Sequence, residues 1–442
     1  MENKVFNYEK DIFGHPKGFM VVAFTELCER FSNYGALGIL VLYMTGLVNK
    51  GGLGWMEASA LTVLGIYRMM GCLTAVPGGI IADKWIGARR SVSIGAFLCA
   101  IGDMTLAVPY TWAFFIGLAL IAMGGGFYKP NITTVLGRLY DPEDPHKEAA
   151  FTIFYLAVNV GSLIAFLLVG WIAQRYGWRM GFLLCGAFLL LGQLNYLLNQ
   201  KPLRRTDNIT PKAQEKVVRQ PLTPYERKCI WVILFSFIIE IVFMVAYEQS
   251  TGLLTLYVKK FTDCLLVTPL GKFEVPIPWF NSLNPIMVIV FAPMLAALWT
   301  FLGKHKKDPS AIFKMGLGTV ILGLSYVFMV AAVFQRDASA AGKSSMIWIV
   351  LTYLFCTLGE LAQGPVALSF ITSFSPQRMV SQIMGWHVAV TGIACFAAAN
   401  IGSLAGKFGE KSIFIGLLAG TTLCGVLLCL ISRKLKLKEE KE

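Results

Sequence analysis

The apolar residues of this chain run in long stretches broken by short polar gaps, with neither the period of two of a surface strand nor the one-sided stripe of a surface helix. Twelve such stretches can be traced. Six lie at 17–47, 56–83, 90–108, 112–138, 149–174 and 178–199, and six more at 229–257, 279–301, 311–334, 345–374, 379–405 and 412–431. About 20 apolar residues cross a bilayer as a helix, so each stretch reads as a membrane span. The longer ones imply tilt or ends that protrude from the hydrocarbon. The first run is too long for the core of a cleavable signal peptide. Composition agrees: 56% of the 442 residues are hydrophobic, 15% are charged and the mean hydropathy is +0.62. No soluble domain has so much apolar surface to hide. The expected fold is an all-α integral membrane protein.

The net charge of +13 would suggest nucleic acid if it were not so unevenly placed. Twelve spans put both ends of the chain on one side, and that side collects 26 Lys and Arg against 10 on the other. Positive charge stays inside, so both termini and the central linker are expected in the cytoplasm. No nucleic-acid partner is expected. The basic tail at 433–438 suits anionic lipid headgroups. Ten cysteines fall almost wholly within apolar spans, which reads as small core residues. No metal-ligand spacing, phosphate loop or nucleophile elbow is present, so an enzyme is not expected.

The polar gap at 200–228 holds eight Lys/Arg and four prolines. It divides the chain into a six-helix half at 1–199 and a second at 229–432, with a basic tail at 433–442. An internal repeat supports the division: Asn159-Val160-Gly161-Ser162-Leu163 in the fifth span recurs as Asn400-Ile401-Gly402-Ser403-Leu404 in the eleventh. Six-plus-six repeats joined by a cytoplasmic linker are the layout of alternating-access carriers, whose substrates bind between the halves.

The chemistry is concentrated in charges that sit inside spans, where they are costly and tend to mark a substrate or ion path. Glu26, Glu29 and Arg30 share one face of the first span. Two acids and one base leave a negative charge to spare, so the cluster can hold a proton or admit an anion against Arg30. A structural ion pair between helices is the competing reading. The fourth span carries Lys129 and the tenth Glu360, equivalent places in the two halves and suited to the two ends of a zwitterion. In all, Glu26, Glu29, Asp103, Glu240, Glu248 and Glu360 face Arg30, Lys129 and Arg68. Six acids cannot all stay ionised beside three cations. An acid that pairs with a cation and releases it on protonation is a natural switch. His387 is a second candidate proton carrier.

The loop Gly78-Gly79-Ile80-Ile81-Ala82-Asp83-Lys84-Trp85-Ile86-Gly87-Ala88-Arg89-Arg90 resembles the signature loop of the major facilitator superfamily. Glu26-Leu27-Cys28-Glu29-Arg30-Phe31 matches the first-span ExxER motif of the proton-dependent oligopeptide transporters. Phe151 to Gly161, with Phe154-Tyr155 and Asn159, is similar to the fifth-span signature of that family. Gly359-Glu360-Leu361 followed by Pro365 resembles its tenth span, and Tyr247-Glu248-Gln249 and Asn281 to Pro285 are weaker echoes. The resemblance runs from about residue 13 to residue 431. It implies a major-facilitator-type fold of twelve helices in a bacterial inner membrane, functional as a monomer. The implied activity is proton-coupled symport of di- and tripeptides by alternating access, with no cofactor beyond the coupling protons. By position, Arg30 and Lys129 would receive the peptide carboxylate and Glu360 the peptide ammonium. Tyr34, Tyr67, Asn159 and Asn284 would hydrogen-bond the peptide. Glu26, Glu29, Glu248 and Glu360 would serve proton coupling.

The chain also departs from the family pattern. The linker is too short for the two extra helices of many bacterial members. After Asn33-Tyr34-Gly35 come Ala36-Leu37, where many relatives place a cation, so Glu248 is expected to lack its usual partner. Arg68 is a charge with no family counterpart, for which Asp103 or Glu26 are the expected neutralisers. Met244 and the Trp386-His387 pair also break the pattern. A same-fold carrier for an amino acid, nitrate or a drug stays open, as does a peptide-binding receptor that does not transport.

Overall fold

A computed structural model describes residues 14–141, 144, 146–207, 222–269, 271–305, 309–376 and 379–432. The tail at 433–438 and most of the linker (208–221) lie outside the described residues. Helices appear where the apolar runs predict them: α1 (Lys17–Met44), α2 (Glu57–Leu73) continued by α3 (Ala75–Ile81), α4 (Ala88–Leu106), α5 (Thr111–Leu139), α6 (His146–Tyr176) and α7 (Trp178–Leu198). Past the linker follow α8 (Pro224–Tyr247) and α9 (Leu253–Phe261) as one broken span, then α10 (Leu283–Lys304), α11 (Ala311–Ala338) and α12 (Ile347–Phe374). The last are α13 (Val380–Ser403), the short α14 (Ala405–Phe408) and α15 (Glu410–Ile431). Ten of these segments are apolar enough to cross a membrane on composition alone; Lys17–Met44 and Ala88–Leu106 are not among them. The ionisable Glu26, Glu29 and Arg30 of the first, and Arg89, Arg90 and Asp103 of the second, dilute the apolar signal.

Local chemistry sets the breaks. The Thr223 hydroxyl and the Glu226 carboxylate cap the start of α8 reciprocally. The signature loop forms a π-helical turn over Ala82–Ile86 and ends at Gly87, whose φ of 85° a residue with a side chain would adopt at a cost. The only strands among the described residues are short. β1 (Thr262–Asp263) pairs in parallel with β4 (Ser344–Ser345), and β2 (Leu265–Thr268) forms a hairpin with β3 (Gly271–Glu274). The sequence reading missed this hairpin, which lies in the loop it left unassigned. Cys264 sits there, partly buried, with its thiol pushed up to about 11 by that burial. All ten cysteines are free thiols.

Contacts gather the chain into two units. The first comprises residues 1–39, 48–53 and 70–216, and the second 40–47, 54–69 and 217–442. The end of α1 and most of α2 thus group with the second unit, a division that the linker alone does not predict. Each unit packs its third and fourth spans through paired glycines. In the first, a Cβ on Gly95 would lie 2.6 Å from the Gly124 carbonyl, and one on Gly124 2.6 Å from that of Gly95. In the second, Gly318 and Gly359 stand in the same reciprocal relation at 2.7 Å. Small residues permit this approach where no hydrophobic effect drives helices together. In α7 the inward face is Gly181, Cys185, Gly186, Leu189 and Gly192, while Leu191, Leu194 and Leu198 point outward. A lipid-facing surface is as apolar as the interior, which is why the sequence shows runs and no stripe.

Candidate functional site

The motif of α1 is buried and bonded within itself. Arg30 Nε lies 2.9 Å from Glu26 Oε1, and Arg30 Nη2 2.7 Å from Glu29 Oε2. Glu26 is 3% exposed and Glu29 1%. One guanidinium therefore ion-pairs with two carboxylates. Lys129 of α5, next to the helix-interior Pro130, acts electrostatically on Glu26. Tyr34 and Tyr128 act in the same way on Arg30. Tyr34 sets its ring edge-on to Phe166 at 5.8 Å. The sequence-predicted Glu26, Glu29, Arg30, Tyr34 and Lys129 are thus one cluster in the first unit.

Asn159 turns its amide to its own helix, donating to the Tyr155 carbonyl at 2.9 Å, and Ser162 donates to the Asn159 carbonyl at 2.9 Å. The repeat in α13 does the same: Asn400 donates to Phe396 at 2.8 Å and Ser403 to Asn400 at 2.7 Å. The glycine of each repeat presses on the first span of its own half. A Cβ on Gly161 would meet the Leu27 carbonyl at 2.6 Å and Arg30 Cβ at 3.1 Å. One on Gly402 would meet Gln249 Oε1 at 2.9 Å. The repeat therefore seats the fifth and eleventh spans against the charged turns around Arg30 and Glu248.

The second unit holds the other cluster. Asn284, near the start of α10, donates from Nδ2 to Glu360 Oε2 at 2.7 Å and to Thr357 Oγ1 at 3.1 Å. The Tyr247 hydroxyl also bonds Glu360, and Glu248 acts on it electrostatically. Glu248 begins the 3-10 turn Glu248–Thr251 that interrupts the seventh span. It forms an ion pair with Arg68 of α2. Glu248 thus has a partner other than the usual one, and Arg68, for which Asp103 or Glu26 were the expected neutralisers, pairs with Glu248. The seventh-span acid, left without a cation on α1 by Ala36-Leu37, takes one from α2. Tyr67, the neighbour of Arg68, lies half-buried in the same unit. The sequence signals that could have found the pair were a charge in mid-span and the missing cation after Gly35. Thr357 and Tyr247 were missed as partners of Glu360 because they carry no charge to betray them.

Two further acids, Glu240 and Asp103, have no ion pair among the described residues. Glu240 accepts from Gln363 Nε2 at 2.6 Å. Asp103 accepts a hydrogen bond from the Ser32 hydroxyl. His387 lays its ring 6.1 Å from that of Phe237, and its buried Nδ1 has no hydrogen-bond partner among the described residues.

Long apolar helices with ionisable clusters buried in them define a transporter of the membrane. The PTR2 model, described as the POT family, matches residues 89–223 and 221–415, and this chain belongs to that family. It is 31% identical over 96% of its length to the uncharacterized transporter YclF of Bacillus subtilis, covering 95% of that protein. It is 29% identical to the di-/tripeptide transporter of Lactococcus lactis subsp. cremoris, over 86% of this chain and 88% of the relative. Among solved structures it superposes on a peptide transporter POT in complex with sulfate with a TM-score of 0.86, at 29% identity and 97% and 96% coverage. A POT family transporter in complex with 5-aminolevulinic acid matches with a TM-score of 0.90, at 26% identity and 97% and 99% coverage. The fold is that of the POT transporters, of major-facilitator type.

Proposed function

We propose that the chain is a proton-coupled symporter of di- and tripeptides that works by alternating access. The observation that carries this reading is the pair of charge clusters: a guanidinium held between two carboxylates in the first unit, and a carboxylate held by neutral donors in the second. Arg30 and Lys129 offer cations to a peptide carboxylate, and Glu360 offers an anion to its ammonium. The bonds from Asn284 and Tyr247 keep Glu360 aimed without neutralising it, so it can still receive a cation. Relatives named as di- and tripeptide transporters support the substrate class. Tyr34, Tyr67, Asn159 and Asn284 supply hydrogen bonds to the peptide backbone, after Asn159 leaves its own helix.

Glu26, Glu29, Glu248 and Glu360 are the acids whose protonation couples to the cycle. Protonating Glu248 removes the charge that holds Arg68. The second unit also ties Lys259 to the Thr45 carbonyl at 3.0 Å and Lys260 to Glu57 at 2.7 Å. Those contacts join segments 40–47 and 54–69 to the seventh span. The termini lie in the cytoplasm on the charge asymmetry of the loops.

The test is uptake of labelled dialanine by the purified chain in proteoliposomes. Accumulation is expected with an inward proton gradient and is lost with a proton ionophore. Uptake indifferent to the ionophore and to external acid would remove proton coupling. A chain that binds dialanine without ever accumulating it would be a receptor.

A further inference from the structure

One face of α12 carries Tyr353, Thr357 and Glu360, which their i, i+4, i+7 spacing stacks turn upon turn. Two asparagines at the entry to α10 meet that face: Asn281 in the 3-10 turn Ile277–Ser282, and Asn284 in the first turn of α10 itself. The bonds between them form a ladder. Tyr353 donates to Asn281 Oδ1 at 2.7 Å, and Asn284 Nδ2 donates to Thr357 Oγ1 at 3.1 Å and to Glu360 Oε2 at 2.7 Å. Tyr353 and Asn281 lie one turn away from the Glu360 cluster, and both are buried. Tyr353 also approaches the Ser250 carbonyl in the seventh-span break, at 3.3 Å. A phenol has one proton to give. The shorter bond goes to Asn281, while the Ser250 carbonyl accepts from Thr255 Oγ1 at 2.9 Å. The rest of α10 is weakly held. Of its residues only Pro285 and Val288 are buried, whereas Pro278, Phe280, Asn281 and Ser282 are buried in the turn that precedes it. The placement of α10 therefore leans on that turn, and the turn is tied to α12 by the Tyr353 bond. All of these residues belong to the second unit.

We propose that Tyr353 is a positioning residue for recognition of the peptide's amino end, acting through Asn281. Its hydroxyl fixes Asn281, the anchored turn fixes the start of α10, and Asn284 is thereby held where it aims Glu360. Tyr353 touches no substrate. It sets how well Glu360 is placed, and so how strongly the site prefers a free ammonium to a blocked one. Without the phenol O–H the buried Asn281 oxygen loses its donor and must turn toward another. The entry to α10 then shifts, and the Asn284 amide shifts with it. This rests on the peptide reading above and adds a neutral residue outside the Glu360 cluster on which its selectivity depends.

The experiment uses the full chain in proteoliposomes with labelled dialanine. Tyr353→Phe keeps the ring and removes only the O–H. The KM for dialanine should rise about threefold to tenfold, the scale of one lost hydrogen bond, while the maximal rate per folded transporter stays near that of the wild type. The preference for free dialanine over N-acetyl-dialanine should shrink in the same proportion. Asn281→Ala should do the same, and the double variant should be no worse than either single one, because the two residues act along one path. Ser325→Ala removes another buried hydroxyl, on α11 beside Cys356, and should leave KM and preference unchanged. A Tyr353 with a structural task alone would lower Tm in detergent and leave KM and preference intact, which would overturn the proposal. Should Tyr353→Phe fail to fold, an Asn281→Ala variant with unchanged KM and preference overturns it by itself. In either case a wild type that takes up dialanine and prefers the free peptide leaves the peptide reading standing. A wild type that does not take up dialanine would remove both.

Discussion

At the scale of the residue, the two clusters differ in how they hold their charge. Arg30 is ion-paired with two carboxylates, whereas Glu360 is held by the neutral Asn284 and Tyr247. Glu360→Gln retains an oxygen that can accept from Asn284 and removes the negative charge. It should weaken competition by free dialanine against labelled dialanine far more than competition by N-acetyl-dialanine. A charge-assisted hydrogen bond contributes about 1.5–3 kcal/mol, so the loss for the free peptide should be roughly tenfold or more. In the wild type the acetylated peptide should compete poorly. A wild type that treats both alike would leave Glu360 with a structural task only.

At the scale of the element, glycines decide which spans touch. Gly161 lets α6 rest on the backbone of α1 at the motif, and its repeat partner Gly402 does the same beside Gln249. The atoms a side chain would meet at Gly161 include the Leu27 carbonyl, which cannot step aside without moving the helix. Gly161→Val should therefore destabilise the folded protein by about 1–3 kcal/mol, as overpacking does, with a lower Tm in detergent and weaker uptake. Gly420→Ala in α15 meets nothing within 4 Å and serves as the control, with no loss of Tm. Equal behaviour of the two variants would mean that α1 and α6 adjust freely. The break of the seventh span at Glu248–Thr251 has a similar logic. It frees backbone groups and presents Glu248 to Arg68 at the start of the turn.

At the scale of the whole molecule, the contacts that gather 40–47 and 54–69 into the second unit include three with charged partners: Lys259 on Thr45, Lys260 on Glu57 and Arg68 on Glu248. The Lys260–Glu57 ion pair is more exposed than the Arg68–Glu248 pair, and exposed pairs contribute little. The Arg68–Glu248 pair is the one expected to matter. Arg68→Ala and Glu248→Ala should each depress gradient-driven dialanine uptake, because each leaves a charge in the interior unpaired. The exchange Arg68→Glu with Glu248→Arg should recover part of it. A double variant no better than either single one would show that the two residues act separately.

The sequence by itself determined the class of the protein, the run of apolar spans and the motif residues. Those features are written in composition, in run length and in a helical spacing that puts Glu26, Glu29 and Arg30 on one face, and none of them depends on what lies across the membrane interior. The tertiary structure decided the pairings. Arg68 stands far from Glu248 in the chain, and only the packing of α2 against the seventh span makes one charge the answer to the other. The absent cation at Ala36-Leu37 was legible; its replacement was not. The same holds for Ser32 with Asp103 and for Asn284 with Glu360, where a neutral group that leaves no mark on hydropathy or charge satisfies a buried acid. Long-range contacts between uncharged and charged residues carry no sequence period, so they become visible only when the helices have been brought together.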